Sequence, residues 1–334
     1  MSAGVDNTNL NHLVYIKPKV KFSRLMHAQW VLIIMSVPLM LYRLLFSYVP
    51  LLGWVIAFQD FKPRFGLTIF EQFTNSDWIG LDHFRALLDF TSLFGERFLR
   101  AVYNTFGQSL LTMALGFVCA IGLSLLLNEI RQRGIKRVVQ NILYLPHFLS
   151  WVIVASLASA ALSLPTSGGF INEVLVWTGI IKEPIIWLGD PKYFWGVVAG
   201  THLWKNLGWN TIIYLAAITA IDPSLYEAAS IDGANRYRKM WHITLAGIRP
   251  TIVILLIMNA GWLLTSGFEI QYFLGSGTTV SRAENIDIFI LTYGIRMNQF
   301  GLATAAGILR TVVSIAMLSF VNFIAGKLGE DKLI

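Results

Sequence analysis

With 334 residues the chain is long enough for two or three soluble domains, but only 13% of them are charged and 55% are hydrophobic. That charged share is about half the usual one for a soluble globular protein. Together with a mean hydropathy of +0.60, it points to an integral membrane protein. The single cysteine, Cys119, lies in an apolar run, which excludes a disulfide framework and a Cys-based zinc site. The net charge of +7 keeps nucleic acid open as a partner only until the positions of the charges are known.

The polar opening Met1–Asn11 does not read as a basic segment followed by an apolar leader core, so no cleavable signal peptide is expected. A transmembrane helix needs about 20 mostly apolar residues to cross a hydrocarbon core of roughly 30 Å. Six segments qualify: Trp30–Phe58, Val102–Leu127, Val138–Leu164, Phe194–Ala220, Thr251–Phe268 and Leu302–Ala325. Pro38 and Pro50 predict a kink in the first, or an end near Pro50 with an apolar extension; Pro146 and His147 interrupt the third. The expected fold class is therefore all-α and polytopic.

Basic residues set the orientation. With the N-terminus inside, the inner segments hold 14 basic and 7 acidic residues and the outer ones 9 and 12. Both termini are expected in the cytosol. The basic excess belongs to membrane topology, and nucleic acid drops out as a partner. The organisation expected is a cytosolic segment 1–28, a first span with external loop 29–99, a core 100–326 and a cytosolic tail 327–334.

Arg43, Lys205 and Arg310 fall within spans, and no clear acid accompanies them there; Glu269 sits at the outer end of the fifth. A cation at membrane depth costs a few kcal/mol at least on insertion scales, so such residues usually face a bundle interior or a wet cavity. The alternative is that each snorkels to a headgroup or meets backbone carbonyls.

Between spans four and five runs the polar loop Ile221–Pro250. Asp222 suits a helix N-cap and Pro223 the first helical position. Leu225–Ser230 favours helix, and Asp232-Gly233 breaks it. A second short helix, which Asp232 is able to cap, is expected over Ala234–Ile243. Basic residues lie on one side of that helix and Tyr237, Met240 and Trp241 on others. The pattern fits a knob-like surface offered to a partner, or an amphipathic helix lying in the membrane interface.

Here a family resemblance enters. Glu227-Ala228-Ala229-Ser-Ile-Asp232-Gly233-Ala234, with Ile243-Thr-Leu and Pro250, resembles the EAA loop of permease subunits of type I ABC importers. The resemblance implies a coupling helix, formed by Glu227, Ala228, Ala229, Asp232, Gly233, Ala234, Tyr237 and Arg238, that docks on a separate ATPase subunit. One departure is Ala246, where the family usually has proline, which bears on how the following helix starts. Gly208-Trp209-Asn210 through Ala217, Asn104-Thr105, and Tyr48 through Phe61 resemble the polysaccharide branch, the lipoprotein/polysaccharide permease group that includes alginate importers. From about Trp30 onward the resemblance covers the chain.

No Gly-x-x-x-x-Gly-Lys-[Ser/Thr] phosphate loop is present; Gly326-Lys327 lacks the upstream glycine and the hydroxyl residue. ATP and magnesium are therefore expected on partner subunits and no cofactor on this chain. The six histidines (His12, His27, His83, His147, His202 and His242) show no metal-ligand spacing, and His147 beside Pro146 reads as a polar group satisfied within the bundle. The resemblance implies a second permease subunit, an ATPase dimer and an external solute-binding protein as partners, in a bacterial cytoplasmic membrane. Candidate residues of a translocation pathway are Arg43, Trp204, Lys205, Asn206, Trp209, Asn259, Trp262 and Arg310. In-span cations without in-span acids favour an anionic solute such as an alginate or pectin fragment. A neutral oligosaccharide is the runner-up. An ATP-independent carrier or a membrane glycan enzyme is the distant alternative, the last lacking a carboxylate cluster at the membrane face.

Overall fold

The computed structural model describes residues 22–64, 66–261, 263–264 and 267–327. Within them every regular element is helical, and the only extended pairing is one antiparallel bridge between Gln59 and Trp78. The chain divides into two compact units at Trp54–Val55.

Helix α1 (Phe22–Arg43) passes through Pro38 without a break, then loosens into a π turn at Leu44–Tyr48 and tightens to 3-10 geometry over Val49–Phe58. The change of geometry therefore comes ahead of Pro50, which brings no N–H to bond, and not at Pro38. Short helices α2 (Ile69–Thr74) and α3 (Asp82–Leu88) come next, the first closed by a capping box between Thr68 and Glu71. Helix α4 (Leu93–Glu129) is capped by Ser92, whose hydroxyl accepts from the Gly95 N–H. Its 37 residues reach about 55 Å.

The third expected span is not a straight crossing. Helix α5 (Arg133–Tyr144) gives way to a 3-10 turn at Leu145–Phe148, and α6 (Trp151–Leu162) leaves at 106° to it. Pro146 ends the α-helical ladder, Leu149 and Ser150 are extended, and the Ser150 hydroxyl caps α6 by accepting from the Ile153 N–H. Each arm rises only about 18 Å, short of a hydrocarbon core.

After α7 (Phe170–Trp177) comes α8 (Pro191–Thr219), capped by Asp190 and with Pro191 at its first position. The loop helices α9 (Pro223–Ile231), α10 (Arg236–Lys239) and α11 (Leu245–Gly247) lead into α12 (Arg249–Gly261). Three short helices, α13 (Phe268–Leu274), α14 (Val280–Ala283) and α15 (Ile286–Ile290), precede α16 (Phe300–Lys327).

The α4–α8 pair is the most extensive helix contact. Around it lie three apolar clusters. One joins Phe98 and Ala101 of α4 to Phe289, Tyr293 and the alanines Ala305 and Ala306 of α16. A second joins α6, α8 and α13 through Val154, Phe194, Val198 and Ile270. A third joins the other ends of α4 and α8 through Ala120, Tyr214, Ile218 and Ile248. Small residues recur at these seams, as close backbone approach in a membrane requires. Many large apolar side chains face outward, among them Val118, Leu126, Val312 and Phe320, which suits contact with lipid or a partner helix. Among the described residues, three helices are long and apolar enough to cross a membrane singly, and up to six crossings result if each bent pair counts as one.

Candidate functional site

A cavity of about 210 Å³ opens between α4, α8 and α12. Its polar lining comes from Ser109 and Thr112 on α4, His202, Asn206 and Asn210 on α8, and Asn259 on α12. The three α8 residues recur every fourth position and so share one helix face. Asn206 and Asn259 are expected in a pathway from sequence. Ser109, Thr112 and His202 escape that reading, although the four-residue rhythm from His202 to Asn210 carries the signal. Every one of these groups is a hydroxyl, an amide or an imidazole, the donor and acceptor types that meet sugar hydroxyls.

Lys205 takes a different place from the one expected. It is 6% exposed and is not part of the cavity lining. Its Nζ donates to the carbonyl oxygens of His147 at 2.6 Å and Leu149 at 2.7 Å, and lies 5.2 Å from the Trp151 ring centroid. Where α5 breaks, these carbonyls lose the N–H groups a continuing helix would supply. The ammonium replaces them, which is the alternative in which a buried cation meets backbone carbonyls.

The same face of α8 grips the break elsewhere. The His147 ring stacks on Trp209 with centroids 4.5 Å apart, and Trp151 stacks on His202 at 5.3 Å. Nδ1 of His147 lies 3.2 Å from Oδ1 of Asn206. That oxygen is only an acceptor, so the ring carries its proton there. Gly208 lets α5 approach, since a Cβ there would overlap the carbonyl of Leu143. Trp204 and Trp209 are about half exposed and lie outside the cavity lining. Trp195 is tied down by its indole N–H, which donates to the Arg282 carbonyl at 3.2 Å.

For Arg310 the expectation of no accompanying acid is corrected, because its guanidinium pairs with Asp287 of α15. The acid lies outside the apolar run, 23 residues away, so inspection of the span alone could not find it. Arg310 also borders a second cavity of about 180 Å³ with Thr311 and Ser314. Both side chains of the pair are about three-quarters buried. Arg310→Met is expected to destabilise the protein by about 3 kcal/mol, the usual cost of stranding one buried partner. Adding Asp287→Leu should recover part of the loss, as read by thermal unfolding in detergent. An additive double variant would deny the coupling. Arg43 is exposed and donates to the Ser47 hydroxyl at 3.3 Å within its own unit. Trp262 lies outside the described residues.

The polar loop is a helix–bend–helix, as its sequence suggests. Asp222 caps α9 by accepting from the Ser224 N–H at 2.9 Å. That backbone bond first, and the Ser224 side chain second, hold the carboxyl below its ordinary pKa. Gly233 closes the bend at φ +73°. The second helix starts at Arg236, two residues later than expected, because Asn235 and not Asp232 caps it, accepting from the Arg238 N–H at 2.9 Å.

Three contacts fix the bend. Lys239 donates to Ser230, the Tyr226 and Thr244 hydroxyls lie 3.0 Å apart, and Arg236 pairs with Glu129 at the end of α4 at 3.0 Å. Glu227, Ala228, Asp232, Gly233, Tyr237 and Arg238 are exposed, with Ala229 and Ala234 half-buried. Ile231 is 88% exposed and Trp241 65%. A rigid bend thus displays apolar side chains that this chain leaves uncovered, a surface suited to a protein groove.

The family model described as binding-protein-dependent transport system inner membrane component matches residues 112–329. The polygalacturonan/rhamnogalacturonan transport system permease protein YteP of Bacillus subtilis (strain 168) is 43% identical over 302 residues, covering 90% of this chain and 89% of that protein. In the crystal structure of a bacterial ABC transporter involved in the import of the acidic polysaccharide alginate, one chain superposes with a TM-score of 0.81 at 35% identity. The match covers 92% of this chain and 99% of that one. A second structure, of a bacterial alginate ABC transporter with an alginate pentasaccharide-bound periplasmic protein, matches with the same TM-score and identity over 94% and 100%.

Proposed function

The chain belongs to the family of binding-protein-dependent transport system inner membrane components, and on that premise we propose that it is one permease subunit of an ATP-driven saccharide importer. It works in a bacterial cytoplasmic membrane with six spans, both termini cytosolic and 100–326 as the core. A second permease, an ATPase dimer and an external solute-binding protein complete the assembly. ATP and magnesium bind on the ATPase subunits. The observation that carries the proposal is the exposed, braced bend around Gly233, a docking surface on a chain with no phosphate loop. Glu227, Ala228, Ala229, Asp232, Gly233, Ala234, Tyr237 and Arg238 form that surface, and the cavity of Asn206 and Asn259 belongs to the pathway.

Support for an acidic oligo- or polysaccharide comes from what the relatives are named for, polygalacturonan/rhamnogalacturonan and alginate, and not from in-span cations. A neutral oligosaccharide is the second reading, favoured by one observation: the cavity's polar lining holds neutral groups. ATP hydrolysis by the purified assembly with its binding protein tests both. Stimulation by galacturonate oligomers over their methyl-esterified counterparts is expected; the reverse preference supports the neutral reading. The chain alone should show no hydrolysis above background, and robust hydrolysis by it would overturn the assignment.

Gly233→Trp is expected to uncouple uptake from hydrolysis. A Cβ at Gly233 meets nothing within 4 Å, so this chain has room for the side chain. The left-handed conformation costs a non-glycine residue about 1–2 kcal/mol, and the indole would hold the bend off a partner's groove. Normal uptake by a stably inserted variant would contradict the docking role.

A further inference from the structure

The cavity and the helix break share a residue. Asn206 lines the cavity, and its Oδ1 receives the Nδ1 proton of His147, which sits in the 3-10 turn between α5 and α6. Its Nδ2 donates to the His202 carbonyl of its own helix at 3.1 Å. His202 repeats the pattern, lining the cavity while its ring stacks on Trp151 at the first turn of α6. A bound hydroxyl that donates to Asn206 Oδ1, or turns the amide, competes with the His147 proton.

We propose that His147 is a positioning residue that reads occupancy of the cavity through Asn206 and passes it to the broken helix α5–α6. The inference rests on the saccharide-importer reading above. The carbonyls of His147 and Leu149 at the break are held by the Lys205 ammonium, and the His147 ring is held by stacking on Trp209, an edge contact with Phe148 and one hydrogen bond. A loss of that bond on substrate entry leaves the ring free to slide on Trp209, and the arms of α5 and α6 turn about it. Coupling of this kind between two sites is worth about five- to a hundredfold in the response.

The test uses the whole importer in liposomes, with galacturonate oligomers and their methyl esters as probes and ATP hydrolysis and uptake as readouts. In His147→Ala, glycan stimulation of hydrolysis should fall about tenfold while the half-saturating glycan concentration does not rise, since the competitor for Asn206 is gone. His147→Gln, whose amide N–H can donate to Asn206, should restore most of the stimulation. Spin labels at Ile142 and Val152, exposed on α5 and α6, should report a glycan-dependent distance change in the otherwise native assembly, in a Cys119→Ser background. Undiminished stimulation in His147→Ala overturns the proposal. So does an equal loss in both variants, a rise in half-saturation matching the loss in rate, or an unchanged label distance. If the native assembly responds to neither glycan, the saccharide reading falls and this inference with it.

Discussion

Gly208→Val should abolish accumulation of folded protein, and Gly208→Ala should lower its thermal midpoint without abolishing it. The Cβ of either residue overlaps the carbonyl of Leu143 and crowds the Tyr144 ring. A carbonyl is backbone, so it cannot swing aside as a side-chain tip would. Glycine inside a helix costs roughly 0.5–1 kcal/mol relative to alanine, and here that cost secures the approach of α5 to α8. Overpacking of this kind typically costs about 1–3 kcal/mol and sometimes more. The second methyl-bearing branch of valine puts it at the upper end. Size-exclusion profiles and thermal unfolding in detergent check both variants; a native midpoint for Gly208→Val would refute the packing described.

Lys205→Met is the second large effect. The substitution keeps the aliphatic stem but removes the donor to two carbonyls, those of His147 and Leu149. Each buried acceptor left without a partner costs about 1–3 kcal/mol. The variant should unfold at a clearly lower temperature, and Lys205→Arg, which keeps donors but changes their reach, should fall between. Because Lys205 stands outside the cavity lining, the ratio of uptake for acidic over neutral oligomers should remain unchanged in whatever variant protein assembles. A lost preference for the acidic oligomer at native stability would return Lys205 to the pathway.

These two residues also show how much the sequence discloses. The helical class and the outline of the Gly233 bend follow from apolar run length and from Asp222, Pro223 and Gly233, because such signals are local. Membrane depth correctly marks Lys205 and Arg310 as needing partners. Their partners are not legible in the spans, since one is a pair of carbonyls freed where the chain turns extended at Leu149–Ser150 and the other is Asp287 in a separate short helix. Hydropathy likewise reads Val138–Leu164 as one span, since an apolar run looks the same whether it is straight or turns through 106°. The start of α10 escapes the sequence for a related reason. Asp232 and Asn235 are both competent caps, and only the backbone geometry decides between them.

The most direct test is uptake of labelled galacturonate oligomers into liposomes holding this chain, its partner permease and the ATPase subunits, with the binding protein outside and ATP inside. Uptake that requires ATP and the binding protein together, and that is lost in Gly233→Trp with the assembly intact, is the predicted result. Uptake by this chain with no ATPase subunit present would contradict it.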